Sequence, residues 1–345
     1  MLLLDDHWTW DFWTAQDGED THLYFLKAPR SLGDPDLRHR NARVGHAVST
    51  DLREWTVLED ALGPGELGAW DDLATWTGSV VRDGDDWWMF YTGIGTDSDG
   101  LRQRIGRARS ADLVSWTKDP EFVLDAPEMF EQLDTSVWPD LCWRDPCVFA
   151  DPEHGGWAML VTARMPDGPV DGRGVVALLR SDDLRSWTPV GPVTPLGDWG
   201  HLEVPQVVEV GGRHRLVFCA YADCTSTVRQ ERVGAVTGTH YLVGDSPTGP
   251  FTPDSDGLFA ADEAGSIYAG KILTDPLTGG PALLAFLQFD SDGTFVGGLS
   301  DPVAVDVTST GRMVLTRRPS DVVADARHRE AVLEGQGSPA PAKGR

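Results

Sequence analysis

Positive charge is what this chain of 345 residues has least of for its size: 29 Lys and Arg stand against 54 Asp and Glu, a net charge of −25. Such a surface repels phosphate backbones and anionic lipid, so neither nucleic acid nor a membrane is an expected partner. A neutral or cationic ligand is easier to accommodate. Cysteine is scarce too. The four present fall as Cys142/Cys147 and Cys219/Cys224, spacings that match neither a zinc ribbon nor a redox pair, so they are expected to be reduced thiols acting as small hydrophobes. Long apolar runs are missing: MLLLDDHW at the start reaches two acids after three leucines, far short of a signal segment, and the expected location is cytoplasmic. No His, Asp or Glu cluster has convincing ligand spacing, so neither a metal nor a cofactor is expected. The oligomeric state is not legible.

Tryptophan, by contrast, is abundant at 14 residues, alongside 38 Gly and 23 Pro. A chain rich in turn residues and Trp and poor in long amphipathic stretches is mostly β. Five short apolar strands recur, HLYFLKAP (22–29), WWMFYTGIG (87–95), GWAMLVTAR (156–164), RHRLVFCAY (213–221) and PALLAFLQF (281–289), at intervals of 65, 69, 57 and 68 residues. The first three are followed by Ser-x-Asp-Leu-x-x-Trp, in VGHAVSTDLREW (44–55), IGRARSADLVSW (105–116) and VALLRSDDLRSW (176–187). YLVGDSPTGPF (241–251) keeps the layout with Phe251 in place of Trp. Ser and Asp shape a turn through side-chain to backbone bonds, and the Trp covers the blade edge. A third register opens on a small residue or proline: GSVV (78–81), PCVF (146–149), PQVV (205–208) and GKIL (270–273).

These units describe an all-β, five-bladed β-propeller over residues 1–316, with 301–316 supplying a closing strand. Residues 317–345 are expected to form a polar, partly disordered tail. A pair of two-sheet sandwiches is the rival architecture, but it leaves the long period unexplained.

Inner strands of a propeller line its central channel, so a polar residue at the head of one faces a shared pocket. Three blades place an acid there: Asp11 in HWTWDFW (7–13), Asp145 just before Pro146, and Glu203 in HLEVPQVV (201–208); the other two place Thr77 and Ala269 nearby. Carboxylates converging from separate blades repel one another unless a ligand or a shared proton relieves them. Glycoside cleavage needs such a set, one carboxylate as nucleophile or base and one protonated carboxylic acid for the leaving oxygen. Most other acids, including the turn residues Asp51, Asp112 and Asp183, are structural or solvated.

The motifs WTGS (76–79), FYTG (90–93), WRDP (143–146), LEVP (202–205) and GHAVSTDLREW (45–55) stand in the order found in one family. The chain resembles glycoside hydrolase family 32, the invertase and fructan hydrolase group, within the clan it shares with levansucrases. The resemblance runs over most of residues 7–316. It implies Asp11 as nucleophile, Glu203 as acid/base and Asp145 as a holder of sugar hydroxyls that stabilises transition-state charge. Arg144 would be a second hydroxyl ligand, Trp76 and Ser79 would line the pocket, and Trp8, Trp10 or Trp13 would offer an apolar platform. Gln103 stands where the family has a polar residue in its second blade, and His201 is placed to touch substrate or tune the acid.

The implied course is retaining, through a furanosyl ester on Asp11, with the pKa of Glu203 lifted towards about 6 by burial and acidic neighbours. Departures from the family surround Asp11. Trp10 replaces an Asn before it, Phe12 begins the stretch where the family has Pro-Asn-Gly, and Leu26 stands where the first middle strand ends in Gln. These changes remove amides that bond fructose hydroxyls. The leading expectation is a hydrolase of small furanosides such as sucrose or fructo-oligosaccharides. An inverting arabinofuranosidase or xylosidase-type propeller and a non-catalytic sugar-binding propeller are the alternatives.

Overall fold

The computed structural model describes residues 1–254 and 257–337. Five antiparallel sheets follow one another along the chain. Blade 1 is β1 (His7–Asp17), β2 (Asp20–Pro29), β3 (Arg43–Ser49) and β4 (Thr56–Val57). Blade 2 is β5 (Ala74–Asp83), β6 (Asp86–Ile94), β7 (Gln103–Ser110) and β8 (Thr117–Lys118). Blade 3 is β9 (Arg144–Ala150), β10 (Trp157–Arg164), β11 (Gly174–Ser181) and β12 (Thr188–Pro192). Blade 4 is β13 (Glu203–Val210), β14 (Arg213–Ala220), β15 (Thr237–Gly244) and β16 (Leu258–Asp262), with the short helix α1 (Thr227–Val233) between β14 and β15. Blade 5 is β17 (Ile267–Thr274), β18 (Pro281–Phe289), β19 (Phe295–Leu299), β20 (Val303–Val307) and β21 (Met313–Leu315). The fold is a five-bladed β-propeller, with the five repeated apolar runs as the second strand of each blade.

The inner strands β1, β5, β9, β13 and β17 touch their neighbours around the ring. Apolar clusters fill the seams between blades: Phe90 and Ile105 of blade 2 meet Val161 and Val175 of blade 3, and Leu160 and Val176 of blade 3 meet Leu216 and Phe218 of blade 4. Sheets stacked this way bury both faces, and only their outer edges remain open.

The Ser-x-Asp-Leu-x-x-Trp turns have one geometry. In blade 2 the Ser110 hydroxyl donates to Asp112, whose Oδ1 accepts from the backbone N–H of Val114 and Ser115 at 2.9 and 2.7 Å. Leu52, Leu113 and Leu184 all take positive φ, 61°, 62° and 58°. The closing Trp reaches back to the preceding blade: Trp116 meets Tyr24 edge-on at 5.7 Å, and Trp187 meets Phe90 at 5.5 Å. Phe251 does the same for blade 4, its N–H donating to Val193 O at 2.8 Å.

The end of the chain departs from expectation twice. Residues 301–316 supply β20 and β21, the outer strands of blade 5, while the ring is tied by Leu2 pairing with Leu299 through bonds of 3.0 and 2.8 Å. The polar tail expected after residue 316 is instead the helix α2 (Pro319–Gly337) over much of its length. Val322, Val323 and Ala326 are buried against blades 4 and 5 and recur at helical spacing, a short apolar stripe that the surrounding charges obscure. Residues 338–345 lie outside the described residues. No helix among the described residues is long and apolar enough to cross a membrane.

Candidate active site

Every inner strand carries a bulge where it reaches the channel. In β1 the register jumps between Thr9 and Phe12, in β13 between Glu203 and Gln206, and in β17 between Tyr268 and Lys271. In β9 Arg144 and Cys147 pair with Thr162 and Leu160, leaving Asp145 and Pro146 opposite one residue. In β5 the extra residue is Thr77, between Trp76 and Gly78. A bulge bends its strand and re-aims its side chains. Gly78 of WTGS is required there, because a Cβ would lie 2.2 Å from Phe90 O.

The acids do not share one register position, as the sequence had suggested. Glu203 is the last paired residue before its bulge, as Arg144 and Tyr268 are before theirs. Asp145 is the first bulge residue, with φ 60° like Val204 (53°) and Ala269 (47°). Asp11 is the second, equivalent to Pro146 and Pro205. Three blades thus present carboxylates from three successive steps, and these side chains line one cavity of about 290 Å³.

Asp11 accepts from the Thr77 hydroxyl at 2.7 Å. Burial, reinforced by the charge of Asp145, pushes its pKa up to about 7. Asp145 is 4% exposed, and its Oδ2 accepts the backbone N–H of Val204 at 2.9 Å. Burial raises its pKa, with Arg144 pulling against that and Glu203 adding to it. Glu203 accepts from Arg144 Nη2 at 2.8 Å and from the Tyr268 hydroxyl at 2.5 Å. Burial pushes its pKa up, yet His201 and Arg144 outweigh this and hold it well below the usual carboxylate range. The expectation of a raised Glu203 is therefore reversed. Its donors surround Glu203, while Asp11 has a single hydroxyl and two acids for company.

Arg144 is the hub. Its Nη1 donates to Gln103 Oε1 at 2.8 Å, and its Nη2 lies 3.2 Å from His201 Nδ1. Gln103 in turn donates to Asp140 at 2.7 Å. Lys271, buried beneath the site, donates to Val204 O and Pro205 O at 2.9 and 3.2 Å and so fixes the β13 bulge. On the opposite wall Trp76 donates to His39 O at 2.7 Å, and His39 meets both Trp10 and Trp76 edge-on at 6.2 Å.

Asp11, Asp145, Glu203, Arg144, Trp10, Trp76 and His201 are thus brought together. Four others fall elsewhere. Ser79 is not part of the lining; its hydroxyl accepts the Val148 N–H at 2.9 Å and joins blades 2 and 3. Trp13 lies past the bulge, paired with Tyr24, and is packed in the core, where it stacks on Tyr24 at 6.0 Å. Gln103 stands behind the wall and reaches the pocket only through Arg144 and Asp140. Trp8 is buried against Phe295 at 6.1 Å.

Sequence reasoning missed Arg38, His39, Thr77 as a ligand of Asp11, Asp140, Tyr221, Tyr268 and Phe286, all of which line the cavity. Tyr268 had a signal: aligning GKIL with PQVV sets it opposite Glu203. Arg38 and His39 had none, since they stand in a turn, Pro35–Asn41, outside the repeat. Leu26, one of the family departures, also lines the cavity and joins Trp10 in making that wall apolar. Outside the site, Asp151, Glu153 and His154 gather ligand atoms within 4.8 Å, but Asp151 already accepts from Arg180 at 2.8 Å and Glu153 from Thr248 at 3.0 Å.

A propeller whose inner bulges converge three carboxylates on one cavity holds the kind of groups that glycoside cleavage draws on. Residues 18–294 match the N-terminal domain of glycosyl hydrolases family 32, and the chain belongs to that family. The matched segment begins after Asp11. A sucrose-6-phosphate hydrolase from Zymomonas mobilis is 29% identical over 225 residues, covering 61% of this chain and 40% of that protein. An insoluble β-fructofuranosidase isoenzyme of Arabidopsis thaliana is 29% identical over 172 residues, 48% of this chain and 28% of that protein. The chain thus spans well under half the length of these relatives. In structure, an inulosucrase from Halalkalicoccus jeotgali bound to kestose superposes with a TM-score of 0.74 at 21% identity, covering 91% of this chain and 88% of that one.

Proposed function

We propose that this protein hydrolyses small β-fructofuranosides, such as sucrose and fructo-oligosaccharides, by double displacement. The observation that carries this reading is the convergence of Asp11, Asp145 and Glu203 from three blades on one cavity, with Arg144 donating to Glu203 at 2.8 Å. Family membership and the names of the relatives support the substrate class. In the first step the bond from the anomeric carbon to the leaving oxygen breaks as an Asp11 oxygen bonds that carbon, and Glu203 gives its proton to the leaving oxygen. In the second, water gives a proton to Glu203 and its oxygen to the anomeric carbon, freeing the Asp11 carboxylate. Asp145 and Arg144 hold ring hydroxyls, and Trp10 and Trp76 pack against the apolar edge of the sugar. The four unpaired thiols support a cytoplasmic location as part of this reading.

A panel of sucrose, kestose and aryl furanosides tests it, with wild type beside Asp11→Asn and Glu203→Gln. Fructose release that falls at least about a thousandfold in both variants supports it, as does methanolysis giving the methyl fructoside with the anomeric configuration of the substrate. Inverted product, or turnover of arabinofuranosides alone, assigns the inverting chemistry instead. Binding without turnover, unaffected by Glu203→Gln, leaves a sugar-binding propeller.

A further inference from the structure

The catalytic cavity continues beyond its own walls. Arg38, His39 and Tyr221 line it and also line a more open groove of about 740 Å³. The groove is walled by the Pro35–Asn41 turn, the loop after β14 and the β18–β19 turn. Tyr221 stacks on Tyr268 at 4.3 Å, and the Tyr268 hydroxyl holds Glu203. Through Tyr221 the groove meets the Glu203 wall of the pocket, while Arg38 and His39 bound it on the Trp10 side. In a double displacement the leaving group departs on the side of the proton donor, opposite the nucleophile.

Resting on the fructofuranosidase reading, we propose that this groove receives the leaving sugar and is built for an uncharged saccharide, so that it disfavours a phosphorylated one. Its charge is the first reason. Asp34, Asp36 and Asp223 line it, and Arg38 is the one Lys or Arg among its lining residues. Arg38 is already engaged: Asp36 stands 3.6 Å from its Nη1, Pro35 O accepts from it at 2.9 Å, and its guanidinium lies 4.6 Å over the Phe295 ring. A phosphate, with close to two negative charges at neutral pH, meets three carboxylates and a single guanidinium whose charge Asp36 already offsets.

The unmatched polar atoms are the second reason. Arg38 Nε and Gln288 Oε1 are buried and have no hydrogen-bond partner among the described residues. They are one donor and one acceptor, the pair that sugar hydroxyls satisfy together. Exposed carboxylates along the rim accept further hydroxyls, and the Tyr221 and Phe295 rings offer faces for the C–H side of a sugar ring.

The experiment compares kcat/KM for sucrose, kestose, methyl β-fructofuranoside and sucrose 6-phosphate at low ionic strength, where exposed charges act most strongly. Sucrose 6-phosphate is expected to be at least tenfold poorer than sucrose. Asp223→Lys, at an exposed position, should raise the ratio of phosphorylated to plain sucrose at least fivefold, and high salt should erase the gain. Gln288→Leu should lower the ratio of kestose to methyl fructoside about tenfold, with thermal melts confirming that both variants fold. Equal or better turnover of sucrose 6-phosphate, or ratios unmoved by both variants, overturns the inference while leaving the fructofuranosidase reading intact. Fructose release from none of the four sinks that reading and the inference with it.

Discussion

Asp145 of blade 3 accepts the backbone N–H of Val204 in blade 4 at 2.9 Å, through Oδ2. Val204 is the residue after Glu203 and sits at φ 53°. One carboxylate thereby fixes the bulge that aims another. The Arg-Asp-Pro segment and the Glu-x-Pro segment are parts of a single device, with Lys271 holding the carbonyls of the same bulge from below.

The two halves of that role can be separated. Asp145→Asn keeps an acceptor for the Val204 N–H but removes the charge, so it should fold with a nearly unchanged melting temperature and lose at least about a hundredfold in kcat. Asp145→Ala leaves the buried N–H unpaired as well, costing roughly 1–3 kcal/mol of stability on top of the activity. Steady-state kinetics beside thermal denaturation measures both. Equal melting temperatures for the two variants would remove the structural half.

The pH profile follows from where the pocket keeps its proton. Asp11 retains one up to about pH 7, while Glu203 ionises well below the usual carboxylate range. Double displacement draws on the minority arrangement with that proton on Glu203. Its share is constant as long as the pair holds one proton, so kcat/KM should stay level up to about pH 7 and then fall about tenfold per pH unit. Initial rates at low sucrose from pH 4 to pH 9 test this. A profile flat through pH 9 would place the functional proton elsewhere.

The same group links stability to pH. The folded pKa of Asp11, about 7, lies above the ordinary aspartate value of 3.8, so its favourable contribution is complete below about pH 4 and is lost as pH rises through about 7. Asp11→Asn should therefore stabilise the protein at pH 8, by an amount on the order of 2–4 kcal/mol, and do little at pH 4. Urea unfolding of wild type and variant at the two pH values reads the difference.

Away from the pocket, Asp112→Ala removes the acceptor of the Val114 and Ser115 N–H groups and exposes the cost of holding Leu113 at φ 62°. A loss of about 1 kcal/mol, as at a helix cap, is expected with kcat unchanged. A change in kcat for sucrose would mean that the outer turns reach the channel.

Tyr268 and Trp13 mark the boundary of what could be read from the chain. The bulge alignment was in the letters, since GKIL aligned with PQVV puts Tyr268 opposite Glu203, yet nothing local says that a tyrosine there donates to a carboxylate one blade away. Trp13 looked as suitable a platform as Trp10, yet it stands past the bulge, further from the channel end of β1, and is packed in the core instead. The helix α2 was hidden because three small apolar residues, Val322, Val323 and Ala326, carry its burial amid charged neighbours.

The sequence by itself determined the propeller, because a period near 65 residues and a turn motif built on local bonds need no long-range information to be seen. It also determined the channel as the place for the acids, since an inner strand that opens on a carboxylate has no core to bury it in. Only the tertiary structure decided how those acids differ. Protonation depends on which donors other blades bring within hydrogen-bonding distance. Arg144, His201 and Tyr268 converge on Glu203, while Asp11 is left to Thr77. Those distances follow from the closure of the ring, which no single segment of the chain contains.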